Sequence, residues 1–236
     1  PQTTAELQTA VDMWIDDNET ALATYGEINT WDVSLITTMS DIFMNKTAFN
    51  DDLSSWNVSN VTNMSRMFNG ATQFNQNLSD WIVSDVTDMN QIFRNASNFN
   101  QDLSGWNVSN VTDMHNMFDW ATSFNQDLSG WVVAGVTNMD NMFVGASNFN
   151  SNISGWNVSG VTSMSHMFSD ASSFNQVLSG WDVSNVTNMR RMFWHAQSFD
   201  QDLGAWDVSN VTDMWGMVSM QEGQPTAFTG QGLENW

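Results

Sequence analysis

The sequence contains no cysteine, which excludes disulfide bonds, thiolate zinc sites, iron–sulfur clusters and cysteine nucleophiles. Basic residues are scarce: five Lys and Arg stand against 26 Asp and Glu, a net charge of −21. A surface that follows phosphates needs clustered cations, so this balance argues against nucleic acids and anionic membranes as partners. With 13% charged and 41% apolar residues, the chain is nevertheless expected to fold.

Long apolar runs are also lacking. None approaches the roughly 18–20 residues that span a bilayer, so no transmembrane segment is expected. Residues 1–20 lack the basic and apolar regions of a signal peptide. Because the chain starts at Pro1 and not at Met, we expect that targeting information has been removed.

What the sequence does contain is a repeat of 25 residues. Met39 to Met214 and Phe49 to Phe199 recur at this interval without an insertion. Tryptophan keeps the same step at Trp31, Trp56, Trp81, Trp106, Trp131, Trp156, Trp181 and Trp206. The unit explains most of the unusual content of Trp and Met.

One unit, residues 49–73, suggests two elements. The spacing L-x-x-W-x-V ends in alternation, which predicts a short strand with Trp56 and Val58 on one side. From Met64 the apolar spacing becomes i, i+3, i+4, i+7, which predicts a helix of about two turns, with Thr62 as its cap. No unit can bury its apolar face alone, so the units must stack. The expected fold is an α/β repeat: a right-handed, leucine-rich-repeat-like solenoid with a short parallel strand and a short helix per coil.

The predicted organisation has three parts. Residues 1–25 form an N-terminal helical cap, in which residues 3–17 carry an apolar stripe of Leu7, Ala10, Val11, Trp14 and Ile15. Residues 26–220 form eight repeats. After Val218 the period fails, so residues 221–236 are expected to be an irregular partial ninth repeat or a C-terminal cap.

Two columns are interpreted as structural. The indoles share a face with Leu and Val, which predicts a buried ladder and not an exposed platform for sugars; its members include Trp56, Trp81, Trp106, Trp131, Trp156 and Trp181. A second, asparagine column is predicted to be buried and to satisfy backbone groups at a tight bend; it includes Asn75, Asn100 and Asn125.

Catalysis has little support, because His115, His166 and His195 occupy variable positions of different coils without a paired nucleophile and acid. We therefore expect no enzyme, no cofactor and no resident metal. Calcium remains an alternative through an acidic column from Asp52 to Asp202, which Val177 interrupts. Ice binding is the other alternative, but the serine column breaks at Ala134 and the threonines are assigned to capping.

The variable positions hold the candidate interaction residues. On the expected helix side, two arginines lie beside two additional tryptophans in an otherwise acidic chain, and Arg and Trp dominate interface energetics. The candidates are Arg190, Arg191, Trp194, His195 and Trp215, with His166 one coil away and Trp120 as a weaker second candidate. The alternative is that these long side chains merely cover the helix layer.

Residues 99–118, FNQDLSGWNVSNVTDMHNMF, carry a family resemblance. The motif resembles the repeat of Mycoplasma-type lipoproteins and surface proteins (DUF285-like), and more broadly the BspA-like leucine-rich-repeat surface proteins. It covers roughly residues 28–218. The resemblance implies an extracellular or cell-surface protein for attachment, structural display or recognition of a protein or surface ligand, with no catalytic residues to carry over. Partner identity and oligomeric state stay open.

Overall fold

The computed structural model describes residues 1–219 together with 227 and 229. Two helices open the chain: α1 spans Thr4–Asp16 and α2 spans Asn18–Tyr25, followed by a 3-10 turn at Ile28–Thr30. The predicted segment 221–236 lies outside the described residues apart from Ala227 and Thr229. The division into 1–25, 26–220 and 221–236 stays a prediction.

Helix α1 is the helix expected over residues 3–17. The Thr3 side chain caps it by accepting a hydrogen bond from the Glu6 N–H at 3.2 Å. Its buried stripe is the expected one except for Ile15, which is exposed, and Trp14 packs edge-on against Trp31 with ring centroids 5.8 Å apart. The sequence did not predict α2, which begins after Asp17 and ends at Gly26 in a left-handed conformation (φ +74°).

The α/β solenoid predicted for the repeats is wrong. Between residues 31 and 219 the chain forms neither a strand nor a helix; neighbouring repeats are joined by isolated parallel bridges, the first between Thr38 and Asn63. We call each unit a coil and number the coils from residue 26, so that coil 1 is 26–50 and coil 8 begins at 201. Each coil is built from consecutive turns.

The expected helix is replaced by turns that reproduce its spacing. Met67 N–H bonds to Met64 O at 3.2 Å and Asn69 N–H bonds to Arg66 O at 3.1 Å, so residues three apart still lie close together. Arg66 has a left-handed φ of 57°, which an α-helix of L-residues does not contain. The remaining N–H groups point to the next coil: Met64 N–H bonds to Asp88 O at 3.0 Å.

The expected strand is also a pair of turns. Trp56 N–H bonds to Leu53 O at 3.0 Å and Val61 N–H bonds to Val58 O at 2.9 Å. These bonds within a coil use donors that a sheet would direct to its neighbours. Alternating apolar residues therefore mark the inward side of the turns and not a strand.

Stacked aromatic columns fill the core. Phe68 lies 5.4 Å from Phe43 and 5.7 Å from Phe93, with interplanar angles of 3° and 2°. The tryptophans of the regular series are buried, and the Trp81 Nε1–H donates to Leu53 O at 3.1 Å. Each indole of the regular series thus has a backbone partner, which removes the penalty for burying its N–H.

The asparagine and threonine columns depart from expectation in part. The Asn75 N–H donates to Asn50 Oδ1 at 2.8 Å, and this bond recurs along the column. Hydrogen bonding to the backbone is as predicted, but the column is exposed or half-buried, so its predicted burial is wrong. The predicted helix-capping role of Thr62 is also wrong, because its Oγ1–H donates to Thr37 O at 3.2 Å in the preceding coil.

Candidate functional site

The structure gathers the arginines and histidines on one surface, which we call the variable face. It consists of four positions in each coil. In coil 1 these are the two residues after Met39 (Ser40 and Asp41) and the two after Phe43 (Met44 and Asn45), and their equivalents recur every 25 residues. All the arginines and histidines of the sequence occupy these positions: Arg66, Arg94, Arg190, Arg191, His115, His166 and His195.

Side-chain contacts run from coil to coil across the variable face. Arg66 Nη2 lies 2.8 Å from Asp41 Oδ2, and Ser65 Oγ lies 3.0 Å from Ser40 Oγ. Further along, His195 Nδ1 lies 3.0 Å from Asp170 Oδ1. The four positions therefore form a continuous, half-exposed strip along the stack.

Two of the four positions hold a left-handed backbone. Glycine or asparagine occupies them in several coils, as at Gly70 and Asn95, because these residues tolerate positive φ. Arg191 (φ 51°) and Trp120 (φ 56°) hold the same conformation with large side chains. Both positions are left-handed in every coil in which the structure describes them, so the conformation belongs to the repeat, and Arg191 and Trp120 are distinguished by their side-chain contacts.

The structure brings most of the predicted interaction residues together. We define the Arg–Trp cluster as Arg190, Arg191, Trp194, His195 and Trp215. The Trp194 and Trp215 rings stack with centroids 5.8 Å apart at 16°. Arg191 Cζ lies 4.4 Å from the centroid of each ring, and Arg190 Cζ lies 4.6 Å from that of Trp215. Cation–π attraction, about 0.5–1 kcal/mol per exposed pair, holds both guanidinium groups on the indoles.

Gly216 is the base of this cluster. Its φ is +68°, and a Cβ there would lie 3.1 Å from two Trp194 ring carbons and 3.3 Å from Arg191 Cγ. Any larger residue would displace the indole and the arginine stem. Trp215 keeps 52% of its surface exposed, so the stack presents one broad aromatic face to solvent.

The cluster is locally positive in an acidic molecule. Arg190 has a long ion pair of 3.5 Å with Asp213, whereas Arg191 has no carboxylate partner within the described residues. Arg191 Nε and His195 Nε2 are buried without a hydrogen-bond partner there. Burial, together with the nearby Arg191 and Arg190 charges, lowers the pKa of His166. The Arg191 guanidinium therefore keeps its charge without an ion pair among the described residues.

Trp120 lies apart from the Arg–Trp cluster, in coil 4. It is 50% exposed and rests on Gly145, where a Cβ would come within 2.6 Å of Trp120 Cδ2. Beside it, Asp119 is buried, pairs with Arg94 at 2.9 Å and accepts from Asn116 Nδ2 at 2.7 Å. Burial raises the pKa of Asp119 despite these partners.

The acidic column considered for calcium serves the turns instead. The Ser129 N–H donates to Asp127 Oδ1 at 2.8 Å, and Ser104 N–H donates to Asp102 Oδ1 at 2.8 Å. These hydrogen bonds lower the pKa of both carboxyl groups. Within residues 1–219, 227 and 229, no three His, Asp or Glu side chains converge as metal ligands.

Gly70 and Asn95 are residue types that tolerate left-handed geometry, but sequence reasoning did not extend this conformation to large residues such as Arg66, Trp120 and Arg191. The available signal was the recurrence of glycine and asparagine at one position, in Gly70, Asn95 and Gly145. Trp120 stands out against that background, because it lies in the same column as these residues. The pairing of Trp194 with Gly216 gave no signal, because those positions belong to different columns.

Together, these features define a repeat protein whose stacked coils carry one surface of varied side chains. The chain belongs to the family described as Mycoplasma protein of unknown function, DUF285, which matches residues 15–131 and 121–236. The Mycoplasma-type resemblance predicted from the repeat is thereby confirmed. No curated protein and no solved structure matches the chain. None of the helices in the described part is long and apolar enough to span a bilayer.

Proposed function

We propose that this chain is a non-enzymatic protein, displayed on a cell surface or secreted, that recognises a partner protein through the Arg–Trp cluster. The observation that carries the proposal is Arg191: its guanidinium carbon lies 4.4 Å from the centroids of two stacked indoles, without a carboxylate partner in the described chain. Arg and Trp are enriched among the residues that dominate interface energies. The stacked coils supply the rigid support.

The chemistry of the cluster favours an acidic side chain next to an apolar one on the partner. Arg191 offers a fork of N–H donors that matches a carboxylate in geometry, and Trp215 offers exposed aromatic area. Remote acidic columns repel such a partner, but at physiological salt this repulsion is screened beyond about 8 Å. Direct contact at the cluster is screened much less.

The test compares three forms of the protein on an array of extracellular proteins. The double variant Arg191→Gln, Trp215→Ser removes the fork and the exposed indole. Arg66→Gln is the matched control, because Arg66 shares the column and the left-handed backbone of Arg191 but lies in coil 2. We expect partners of the wild type to bind the control equally and the double variant at least tenfold more weakly. Equal binding to all three forms would contradict the proposal.

Ice binding is a second candidate, favoured by one observation. The threonine column, assigned to helix capping from sequence, forms an exposed row in which Thr87 Oγ1–H donates to Thr62 O at 3.3 Å and Thr112 Oγ1–H to Thr87 O at 3.4 Å. Such a row could present hydroxyl oxygens to ordered water at the coil spacing. A thermal-hysteresis measurement decides this candidate, since a single row that does not bind ice leaves the freezing point equal to the melting point.

A further inference from the structure

Helix α1 covers only part of the exposed end of coil 1. Thr4 Oγ1–H donates to Thr38 O at 2.9 Å and Gln8 Nε2–H donates to Ile42 O at 3.3 Å. The Asp12 carboxylate then pairs with Lys46 at 2.7 Å. Beyond this point, Trp14 and Ile15 of α1 and residues 45–51 border a half-open cavity of about 560 Å³.

In coils 2 to 7, the N–H groups at the positions equivalent to those at this cavity donate to the preceding coil. Gln73 N–H donates to Thr47 O at 3.1 Å, and Asn98 N–H donates to Thr72 O at 3.2 Å. Two residues further along, the Asn75 N–H donates to Asn50 Oδ1 at 2.8 Å. Thus each coil binds a backbone carbonyl and, three residues later, an asparagine oxygen of the coil before it.

Coil 1 has no such predecessor, because residues 22–25 belong to α2. The equivalent donors are Ala48 N–H and Asn50 N–H, and neither has a hydrogen bond to any part of the chain that the structure describes. Both residues are exposed at the cavity. The position of each donor is fixed by the ladder on its other side, so the pair is preorganised.

We propose that this cavity binds an extended polypeptide segment of a partner protein, with one backbone carbonyl on Ala48 N–H and one asparagine side-chain oxygen on Asn50 N–H. The same arrangement occurs within the molecule: Thr47 O and Asn50 Oδ1, on residues three apart, accept from Gln73 N–H and Asn75 N–H. A peptide with acceptors at this spacing would therefore match Ala48 N–H and Asn50 N–H. Main-chain hydrogen bonds would give affinity and the asparagine would give specificity, as in strand addition.

The charges that line the cavity indicate which type of residue should lie next to the asparagine of the bound segment. Later coils carry a donor such as Gln76 or Gln101 next to the ladder, whereas Asp51 takes that place at the cavity and accepts from Trp14 Nε1 at 2.7 Å. Asp16 adds a second carboxylate to the lining. A lysine or arginine beside the asparagine suits these acceptors and the net charge of −21.

The probe is a capped peptide that copies residues 96–100 (ASNFN) and adds two lysines at its C-terminus. Backbone amide hydrogen exchange followed by NMR reports Ala48 and Asn50 directly, with Gln73 and Asn75 as internal references. In the free protein we expect Ala48 and Asn50 to exchange at least tenfold faster than the references. Saturating peptide should slow both at least tenfold. A peptide with alanine in place of the second asparagine should protect Asn50 at least tenfold less.

Two variants distinguish binding at the cavity from nonspecific binding of the peptide. Ala48→Tyr places a ring in the mouth of the cavity, and Asn98→Tyr places it at the equivalent exposed position of coil 3. We expect at least tenfold weaker peptide binding for Ala48→Tyr and wild-type binding for Asn98→Tyr. Should Ala48→Tyr lower the melting temperature, Asp51→Asn removes the lining carboxylate assigned to the peptide lysines, keeps an oxygen that can accept from Trp14 Nε1, and should weaken binding measurably.

Three results would overturn the proposal: no protection at millimolar peptide, equal protection by the alanine peptide, or equal binding to both tyrosine variants. Protection that appears without peptide and grows with protein concentration would assign the cavity to a second copy of this chain. That result would also overturn the proposal.

Discussion

Individual glycines on the variable face are matched to the side chains above them. Gly145 combines a φ of +62° with contact to the Trp120 indole, so it meets two separate requirements. Gly130 has neither a positive φ nor a neighbour within 4 Å of an added Cβ. Comparing the two separates backbone strain from crowding.

We expect Gly145→Ala to destabilise the protein by about 2 kcal/mol, from left-handed strain of about 1 kcal/mol and displacement of the indole. In a Trp120→Ala background the cost should fall to about 1 kcal/mol, because only the strain remains. Gly130→Ala should be neutral or stabilise by up to about 1 kcal/mol. Urea denaturation measures all four variants, and an equal cost in both backgrounds would show that Trp120 does not rest on Gly145.

Aspartates that cap turns connect single residues to pH. Hydrogen bonds from Ser129 lower the pKa of Asp127 in the folded state, so the ionised carboxylate stabilises the fold. This contribution is present above the ordinary aspartate pKa of about 4 and is lost as the pH falls through the lower folded value. The same sign holds for Asp52, Asp102, Asp182 and Asp207.

Asp127→Asn tests this linkage, because asparagine occupies the same position at Asn77 and Asn152 and still accepts the turn hydrogen bond. Between pH 6 and 2.5, the stability advantage of the wild type over Asp127→Asn should shrink. Asp80→Asn removes an equal charge from a carboxylate that accepts no hydrogen bond from the described chain. Urea midpoints measured across this pH range follow the stability of each variant. If both variants showed the same pH dependence, the turn hydrogen bond would have no specific role.

At the scale of the element, each coil depends on hydrogen bonds that cross to its neighbours. Trp131 shows the combination clearly: its indole is buried, stacks on Trp156 at 6.4 Å, and donates from Nε1 to Leu103 O at 3.0 Å. The carbonyl of Leu103 belongs to the preceding coil. One side chain therefore fills the core and fixes the register between coils.

Trp131→Phe should cost about 1–2 kcal/mol, because it removes the indole hydrogen bond to Leu103 O and leaves part of the indole volume empty. Leu103 O still accepts from Trp106 N–H at 3.0 Å, so the carbonyl keeps one partner. Trp131→Ala should cost about 3–5 kcal/mol through the added cavity. Trp120→Ala removes an exposed indole, so its loss of stability should be well below that of either Trp131 variant. If Trp131→Phe were as stable as the wild type in thermal melts, the indole N–H would have no structural role.

The sequence predicted which residues are inside and which columns align, but not the local backbone. Met64, Met67 and Phe68 have the spacing of a helix face, and consecutive turns that close between residues three apart give the same spacing. Hydrogen bonds such as Met64 N–H to Asp88 O decide between the two, and they exist only once coils stack. Arg66 has a left-handed φ, which is compatible with the turns and not with a helix.

The Arg–Trp cluster was partly predictable for the same reason. Arg191 and His166 share a column, so equal spacing in sequence places them in adjacent coils. The stacking of Trp194 on Trp215 depends instead on Gly216, which leaves room for the indole. Column alignment predicts neighbours along the stack, whereas contacts between columns require the structure.

At the scale of the whole molecule, charge is distributed unevenly. The net charge is −21, yet the arginines all lie on the variable face, so most of the remaining surface carries carboxylates without cationic partners. Self-repulsion of this kind destabilises the compact state. Added salt screens it, with a Debye length that falls from about 30 Å at 0.01 M to about 10 Å at 0.1 M.

We therefore expect the melting temperature at pH 7 to rise by several degrees between 0.01 and 0.3 M NaCl, in contrast to proteins held together by surface ion pairs. Most of the rise should occur below 0.1 M, because the Debye length changes most there.

Neutralising exposed carboxylates with Asp80→Asn and Asp85→Asn should raise the melting temperature at low salt and reduce its salt dependence. The control, Arg66→Gln, breaks the pair with Asp41 and increases the net negative charge, so it should act in the opposite direction. A melting temperature that falls with salt would mean that local ion pairs, and not long-range repulsion, dominate the electrostatics of the stack.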